Sequence, residues 1–261
     1  MYTYHTLPVL CQHAMSSTTA TTTNAKSAQA AALSAGKAID VLPSQTSQLF
    51  ANLHPVLLLS LIPIAFRSLV SDPVNTLLGL APTTLIVQAI YCIVCLPSSG
   101  QSAPPKPKPG QKAKPVKPAQ DVWARLVPAF LSLVLTFFLS APLLYITVIL
   151  FGAPLVSHLP HTALLALHLA LLTTPQLFYV HGLDASTWLR LASLQQPMDQ
   201  IYGLSLGACV GAWLGAIPIP LDWDREWQKW PVTIICGMYV GAVVGKLVGG
   251  HLLKGVRMKM N

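Results

Sequence analysis

Three acidic residues within five positions form the densest group of side chains that could do chemistry. Asp222, Asp224 and Glu226 are three of only eight acidic residues in the chain, and clustered carboxylates can hold a metal ion or serve in hydrolysis. Arg225 and Lys229 lie among them and can neutralise their charge, and no histidine is nearby in sequence. The pattern therefore favours a folded interfacial turn, with a partner-docking surface and a catalytic or metal-binding cluster as the two alternatives.

A second set of residues has the types found in metal sites. These residues are His158, His161 and His168 near one apolar run, His181 and Asp184 at its other end, and Cys92 with Cys95. Each group is incomplete, because a tetrahedral zinc site needs four ligands and other helices would have to supply the rest. We therefore predict interfacial histidines, inert membrane cysteines, and no metal or cofactor.

Motifs of common enzymes do not occur in the sequence. It contains no Gly-x-x-x-x-Gly-Lys loop, no Gly-x-Ser-x-Gly elbow and no His-Glu-x-x-His pair. There is also no long hydrophilic segment that could form a catalytic domain. If the chain takes part in a reaction, we expect it to support a catalytic partner.

Composition identifies the medium in which the chain folds. Of 261 residues, 53% are hydrophobic and 9% are charged, with a mean hydropathy of +0.57. Soluble domains carry roughly 25% charged residues, so a soluble enzyme, a coiled coil and a disordered regulator are all disfavoured. The net charge of +8 then fits membrane topology and anionic headgroups better than nucleic acid.

The apolar residues are gathered into runs of the length that crosses a bilayer, about 20 residues. This predicts an all-α integral membrane protein, a bundle of about six transmembrane helices, of which the fourth and fifth are the shortest. The six runs cover residues 49–70, 74–96, 127–151, 163–180, 201–219 and 232–253.

Two polar segments interrupt this pattern. Residues 1–48, rich in Ala, Ser and Thr, are predicted to be a disordered cytosolic tail. Residues 97–121 carry five lysines and repeated prolines and are predicted to be an extended cytosolic linker. The predicted organisation is thus tail, helices 1–2 (49–96), linker, and helices 3–6 (122–261) with a lumenal turn at 217–231.

The distribution of cations sets the expected orientation. If six helices alternate, Arg67, Arg225 and Lys229 fall on one side, and eleven cations fall on the other. The excess marks the cytosolic side, so both termini should be cytosolic. The eleven are Lys37, Lys106, Lys108, Lys112, Lys114, Lys117, Arg125, Arg190, Lys254, Arg257 and Lys259.

Glycines repeat every four residues in the last two runs, forming what we call the glycine ladders. Four residues advance about 400° around a helix, so each ladder is a nearly straight stripe without Cβ atoms, which favours close packing in lipid. The two ladders either pack on each other or receive a helix of another subunit. They consist of Gly203, Gly207, Gly211 and Gly215, and of Gly237, Gly241, Gly245 and Gly249.

The segment between the two ladders is predicted to be a Trp-rich lumenal turn. Prolines end one helix and begin the next, and tryptophans suit the membrane interface. The residues assigned to this 217–231 turn are Pro218, Pro220, Asp222, Trp223, Asp224, Arg225, Trp227, Trp230 and Pro231.

Isolated polar residues inside apolar runs usually face the bundle interior. Gln88, Gln176 and Lys246 are of this kind, and Arg67 lies at a helix end where it can reach headgroups. A structural role is the simpler interpretation. The alternative is a lipid transporter or scramblase in which Arg67, Gln88 and Lys246 line a headgroup path.

One segment of the sequence resembles the hallmark of the PIG-F family. It runs from Gln196-Pro-Met-Asp through the 217–231 turn and continues into Gly237-Met-Tyr-Val-Gly-Ala-Val-Val-Gly-Lys246. The likeness is specific over residues 196–250. Elsewhere it depends on the number and placement of apolar runs, and the linker looks like the lengthened cytosolic loop of a fungal member.

The resemblance implies a function that the residues alone do not. Members are non-catalytic, six-span subunits of GPI-anchor biosynthesis in the endoplasmic reticulum. They bind and stabilise large multi-span ethanolamine phosphate transferases, which modify mannoses of the GPI precursor. The C-terminal Arg257-Met-Lys259-Met-Asn261 is close to a retrieval signal of that compartment. The chain is thus expected to be an accessory subunit in contact with a transferase and membrane lipid.

Overall fold

The computed structural model of the chain describes residues 38–99 and 118–257. The predicted tail up to residue 37, the linker residues 100–117 and residues 258–261 of the retrieval-like sequence lie outside these ranges. Within them the chain is helical and contains no β-strand.

Nine α-helices follow one another in the described ranges. A π-helical turn at Thr136–Ser140 joins α3 to α4, and another at Val248–Leu252 extends α9. The helices are α1 Gln45–Ser71, α2 Pro73–Cys95, α3 Pro118–Leu135, α4 Ala141–Leu150, α5 Leu159–Thr173, α6 Pro175–His181, α7 Ala185–Ala192, α8 Gln200–Ala216 and α9 Val232–Leu247.

The predicted fold class is confirmed. Among the described residues, five helical stretches are long and apolar enough to cross a membrane: Gln45–Ser71, Pro73–Cys95, Trp123–Leu150, Leu159–His181 and Val232–Leu252. The remaining predicted span is α8, whose 17 residues stand at the short end of the range for a transmembrane helix.

Two helix starts differ from the limits of the apolar runs. The first helix begins at Gln45 because the Ser44 hydroxyl accepts a hydrogen bond from Ser47 N at 3.1 Å and so caps it. The third is already helical at Pro118, the first residue described after the linker. Both helices therefore extend beyond the residues that hydropathy alone marks.

The stretch formed by α5 and α6 is the central element of the bundle. In its most apolar 18-residue window 78% of the residues are buried, against 11% for Trp123–Leu150 at the periphery. One core cluster joins α1, α2, α5, α8 and α9 and includes Leu58, Leu77, Leu172, Leu204 and Met238. A second cluster, including Tyr91, Tyr179, Leu191 and Tyr202, joins α2, α6, α7 and the start of α8.

Backbone hydrogen bonds fasten each end of the described chain to another segment at one end of the bundle. Leu42 N donates to Cys95 O at 2.9 Å, and Met198 N donates to Val256 O at 2.9 Å. Gly255 N returns a bond to Met198 O at 2.8 Å. We call this region, formed by residues 38–44, 95–99, 198–199 and 253–257, the terminal end.

Asp199 connects the segment before α1 to the start of α8 through its carboxylate. Its Oδ1 accepts Ile201 N and Tyr202 N at 3.0 and 2.8 Å and caps α8, and its Oδ2 accepts Ile39 N at 3.0 Å. One buried side chain thus both starts α8 and holds the segment before α1.

Replacing Asp199 with alanine should loosen the terminal end. Loss of a helix cap costs about 1–2 kcal/mol, so amide exchange at Ile39, Ile201 and Tyr202 should become about tenfold faster. Asp72→Ala is the matched control, since Asp72 caps α2 through Asn75 N at the opposite end of α1. Unchanged protection of Ile39 in Asp199→Ala would contradict this role.

Candidate partner-binding surface

The two glycine ladders lie against each other along the contact between α8 and α9. A Cβ atom added to Gly207 would collide with Gly241 O, and one added to Gly211 would collide with Gly237 O. The same holds through the whole seam: Gly203 meets Gly245 and Gly249, and Gly215 meets Thr233 and Ile234. The helices therefore pack backbone to backbone, as small residues permit in lipid.

Mutual packing of the ladders leaves an apolar groove on the side of the seam that faces away from the core. Its volume is about 590 Å³. The glycines form its floor, and exposed side chains of Val210, Leu214, Val240 and Val244 stand on its rims. We call this feature the α8–α9 groove.

The 217–231 turn is organised by a glutamine that was not among its predicted residues. Gln228 Nε2 donates to Pro218 O and Leu221 O, both at 2.8 Å. Gln228 Oε1 accepts Arg225 N at 2.9 Å. Because Gln228 is 9% exposed, one buried amide ties together both halves of the turn.

The acidic residues of this turn point outward. Asp222 and Asp224 are exposed, and Glu226 forms an ion pair with Lys229. The rings of Trp223 and Trp227 lie 5.8 Å apart. No group of three or more potential metal ligands occurs within the described ranges.

Replacing Gln228 with alanine should open the turn locally. Three hydrogen bonds of about 1 kcal/mol each predict that trypsin cleavage after Arg225 and Lys229 becomes at least tenfold faster. Gln195→Ala, at an exposed position outside the turn, should leave the cleavage rate unchanged. Equal rates in the two variants would show that Gln228 does not hold the turn.

The other candidate metal ligands lie at separate places in the fold, and each has its own structural contacts. His158 and His161 lie with ring centroids 5.2 Å apart at one end of α5. Asp184 caps α7, and hydrogen bonds from Thr187 and Ser186 lower its pKa to about 2. Cys92 and Cys95 are buried as free thiols.

His168 belongs to a buried polar network that joins three helices. Its Nδ1 lies 2.9 Å from Tyr239 Oη and its Nε2 3.0 Å from Leu77 O. Tyr239 Oη also lies 2.5 Å from Thr84 Oγ1. The network connects α5, α2 and α9 through side chains with no exposed surface.

Lys246 and Gln88 belong to a second buried cluster together with His54 and Tyr91. Lys246 Nζ donates to Ala51 O at 2.9 Å and contacts His54 Nδ1 at 3.1 Å. It lies 4.0 Å from the centroid of the Tyr91 ring, and His54 Nε2 is 3.1 Å from Gln88 Oε1. We call these four residues the Lys246 cluster.

Arg67 and Gln176 do not join this cluster. Arg67 is exposed and stands sixteen residues along α1 from Ala51, about 24 Å at the rise of an α-helix. The structure thus does not bring Arg67, Gln88 and Lys246 onto one path. Gln176 Nε2 bonds instead to carbonyls of its own helix region and to Ser205 Oγ at 3.1 Å.

The sequence indicated Lys246 and Gln88 as inward-facing but gave no role to His54, Tyr91 or Tyr239. The only indication of their roles in the sequence was that polar atoms inside apolar runs need hydrogen-bond partners. The partner that each residue meets depends on how the helices pack, and the spacing of residues along the chain does not determine that packing.

The fold and these surfaces define a multi-pass helical membrane protein with a glycine-packed terminal helix pair and a structured Trp-rich turn. The model of the GPI biosynthesis protein family Pig-F matches residues 53–250. The chain belongs to this family, and its role is in the biosynthesis of GPI anchors.

Curated fungal relatives extend the similarity over most of the chain. Glycosylphosphatidylinositol anchor biosynthesis protein 11 of Neurospora crassa is 42% identical over 221 residues, which cover 83% of this chain and 79% of that protein. The protein of the same name from Aspergillus fumigatus is 37% identical over 241 residues, covering 80% and 81%. That from Pyricularia oryzae is 42% identical over 214 residues, covering 81% and 79%. No solved structure matches the chain.

Proposed function

We propose that the chain is a non-catalytic membrane subunit that binds and stabilises ethanolamine phosphate transferases of GPI biosynthesis in the endoplasmic reticulum. The proposal extends the family's place in GPI biosynthesis to a particular role. The observation that carries it is the α8–α9 groove, an apolar surface within the bilayer that the chain's own helices leave open.

The dimensions of the groove suit a transmembrane helix of the partner. Within α8 it runs from Gly203 to Gly215, and twelve steps of 1.5 Å make about 18 Å. This is more than half of the roughly 30 Å hydrocarbon core. A glycine floor also lets a third backbone approach closely, which is how helices associate in lipid.

The 217–231 turn continues this surface beyond the membrane. It follows α8 and precedes α9 directly, and Trp223 is 54% exposed there. With the side that carries the eleven cations in the cytosol, the turn faces the lumen, where it can brace the partner's catalytic domain. Its carboxylates serve this contact and carry out no reaction of their own.

The test is purification of the full chain with an affinity tag in mild detergent, followed by mass spectrometry of the proteins that accompany it. We expect a large multi-span protein with a phosphotransferase domain at near-equal stoichiometry. A chain that emerges alone and monodisperse would overturn the proposal.

Two matched variants test the surface. Val244→Trp fills the groove from its exposed rim and should remove the accompanying protein, whereas Leu143→Trp, at an exposed position on α4, should retain it. Equal recovery with both variants would show that the partner binds elsewhere on the chain.

A further inference from the structure

The Lys246 cluster has more hydrogen-bond donors than acceptors. An ammonium group only donates, so His54 Nδ1 must accept from Lys246, which leaves the proton of His54 on Nε2 to donate to Gln88 Oε1. Gln88 Nε2 and Tyr91 Oη then have no hydrogen-bond partner in the described part of the chain, although both residues have no exposed surface. The cluster thus presents a buried cation together with unpaired donors.

No described carboxylate balances the charge of Lys246. The ion pairs found in the described ranges join Lys229 to Glu226 and Lys254 to Asp40. The Asp199 carboxylate, at the terminal end, is already occupied by three backbone N–H groups. Lys246 is 3% exposed and has no described carboxylate partner. A buried lysine of this kind is costly in a membrane unless an anion reaches it.

A crevice leads to this lysine from the surface of the bundle. It has a volume of about 60 Å³, and Lys246 lines it together with Asn52, Gln200 and His251. About 10–15 Å³ suffices for one water molecule, so the crevice has room for a tetrahedral phosphate group. The amides of Asn52 and Gln200 and the imidazole of His251 add further donors at its walls.

The depth of the crevice matches that of lipid headgroups. Lys246 is six residues from Leu252, where the helical structure of α9 and its π extension ends, or about 9 Å along the axis. Beyond it the chain reaches the terminal end, where Asp40 and Lys254 pair at 2.6 Å with both side chains more than half exposed. The phosphate group of a membrane lipid would lie at this depth.

We propose that the crevice binds the phosphate group of an anionic glycerophospholipid, with Lys246 as the charged ligand and Asn52, Gln200 and His251 as donors around it. The site lies apart from the α8–α9 groove and does not depend on the binding of a protein partner.

The test uses the full chain purified in detergent, with thermal unfolding measured after addition of dioleoylphosphatidylserine, dioleoylphosphatidylcholine or inorganic phosphate. Because ligands stabilise the state that binds them, phosphatidylserine at about ten times its dissociation constant should raise the unfolding temperature by about 3–5 °C. Phosphatidylcholine and inorganic phosphate should have smaller effects. An equal rise with phosphatidylcholine would overturn the requirement for a net anion, and an equal rise with inorganic phosphate would overturn the lipid source.

Substitutions test whether the rise in unfolding temperature comes from lipid bound in the crevice. Lys246→Gln should abolish the rise, whereas Lys254→Gln, an exposed cation at the same end of the bundle, should preserve it. Asn52→Trp fills the crevice from an exposed position and leaves the buried lysine in place, so it decides the matter if Lys246→Gln does not fold. A full rise in Asn52→Trp, or no rise with any lipid in the unchanged protein, would overturn the proposal.

Discussion

Replacing Gly211 with leucine should prevent α8 and α9 from packing and should lower the thermal unfolding temperature of the chain by about 10 °C or more. A Cβ at this position would meet Gly237 O and Gly241 Cα, both of them backbone atoms. Overpacking costs about 1–3 kcal/mol even where side chains can adjust, and two helix backbones adjust less. The measurement is thermal unfolding in detergent, with size-exclusion chromatography to report the fraction that remains monodisperse.

Gly79→Leu is the matched control for this substitution. Gly79 is also a glycine within a transmembrane helix, but a Cβ added there meets nothing within 4 Å. Leucine is also a better helix former than glycine, so this variant should unfold at or slightly above the original temperature. If Gly211→Leu were as stable as Gly79→Leu, the seam would not be the close contact described here.

Replacing His168 with leucine should have the second-largest effect. It removes the hydrogen bonds to Tyr239 Oη and Leu77 O from a site with no exposed surface. Buried groups that lose a partner cost about 1–3 kcal/mol, although such bonds average less between membrane helices. We expect a loss of about 2 kcal/mol, or a fall of roughly 4–8 °C in the unfolding temperature.

His158→Leu provides the comparison for His168. His158 is exposed near the start of α5, and its side chain contacts its neighbour Ser157 and the ring of His161, so loss of this side chain should change the unfolding temperature little. A similar fall in both variants would point to a general effect of histidine removal, and the network would lose its assigned role.

The helical spans were predictable because hydropathy and bilayer thickness determine them with little need for tertiary information. The glycine ladders were visible for a similar reason, since a spacing of four residues makes a stripe on any α-helix. Their alignment with each other needs only that α8 and α9 are joined by a short turn. The docking of a partner along the same pair stays a prediction.

Other features depend on contacts between residues distant in sequence. The fourth apolar run was expected to be one of the two shortest spans, yet the Leu159–His181 stretch is the most buried of the five. Its burial follows from the neighbours that surround it, which its own hydropathy does not encode. In the same way, Gln228 was missed because its importance comes from carbonyls seven and ten residues earlier, at Leu221 and Pro218.

The repeat of the glycine ladders has a consequence for the register of the two helices. If α9 slid by four residues relative to α8, about 6 Å, glycine would again face glycine at most positions of the seam. Interlocking side chains would oppose such a slip, but here the contact is between two smooth backbones. The seam therefore defines how close the helices come without defining their axial alignment.

Alignment must then be fixed at the two ends of the pair. At one end, the hydrogen bonds of Gln228 fix the turn, so the turn cannot lengthen by the four residues that a slip would require. At the other, Met198 exchanges backbone hydrogen bonds with Gly255 and Val256. The short connections at the ends thus act as stops for a contact that could otherwise slide, and lengthening the turn would free the pair to occupy more than one register.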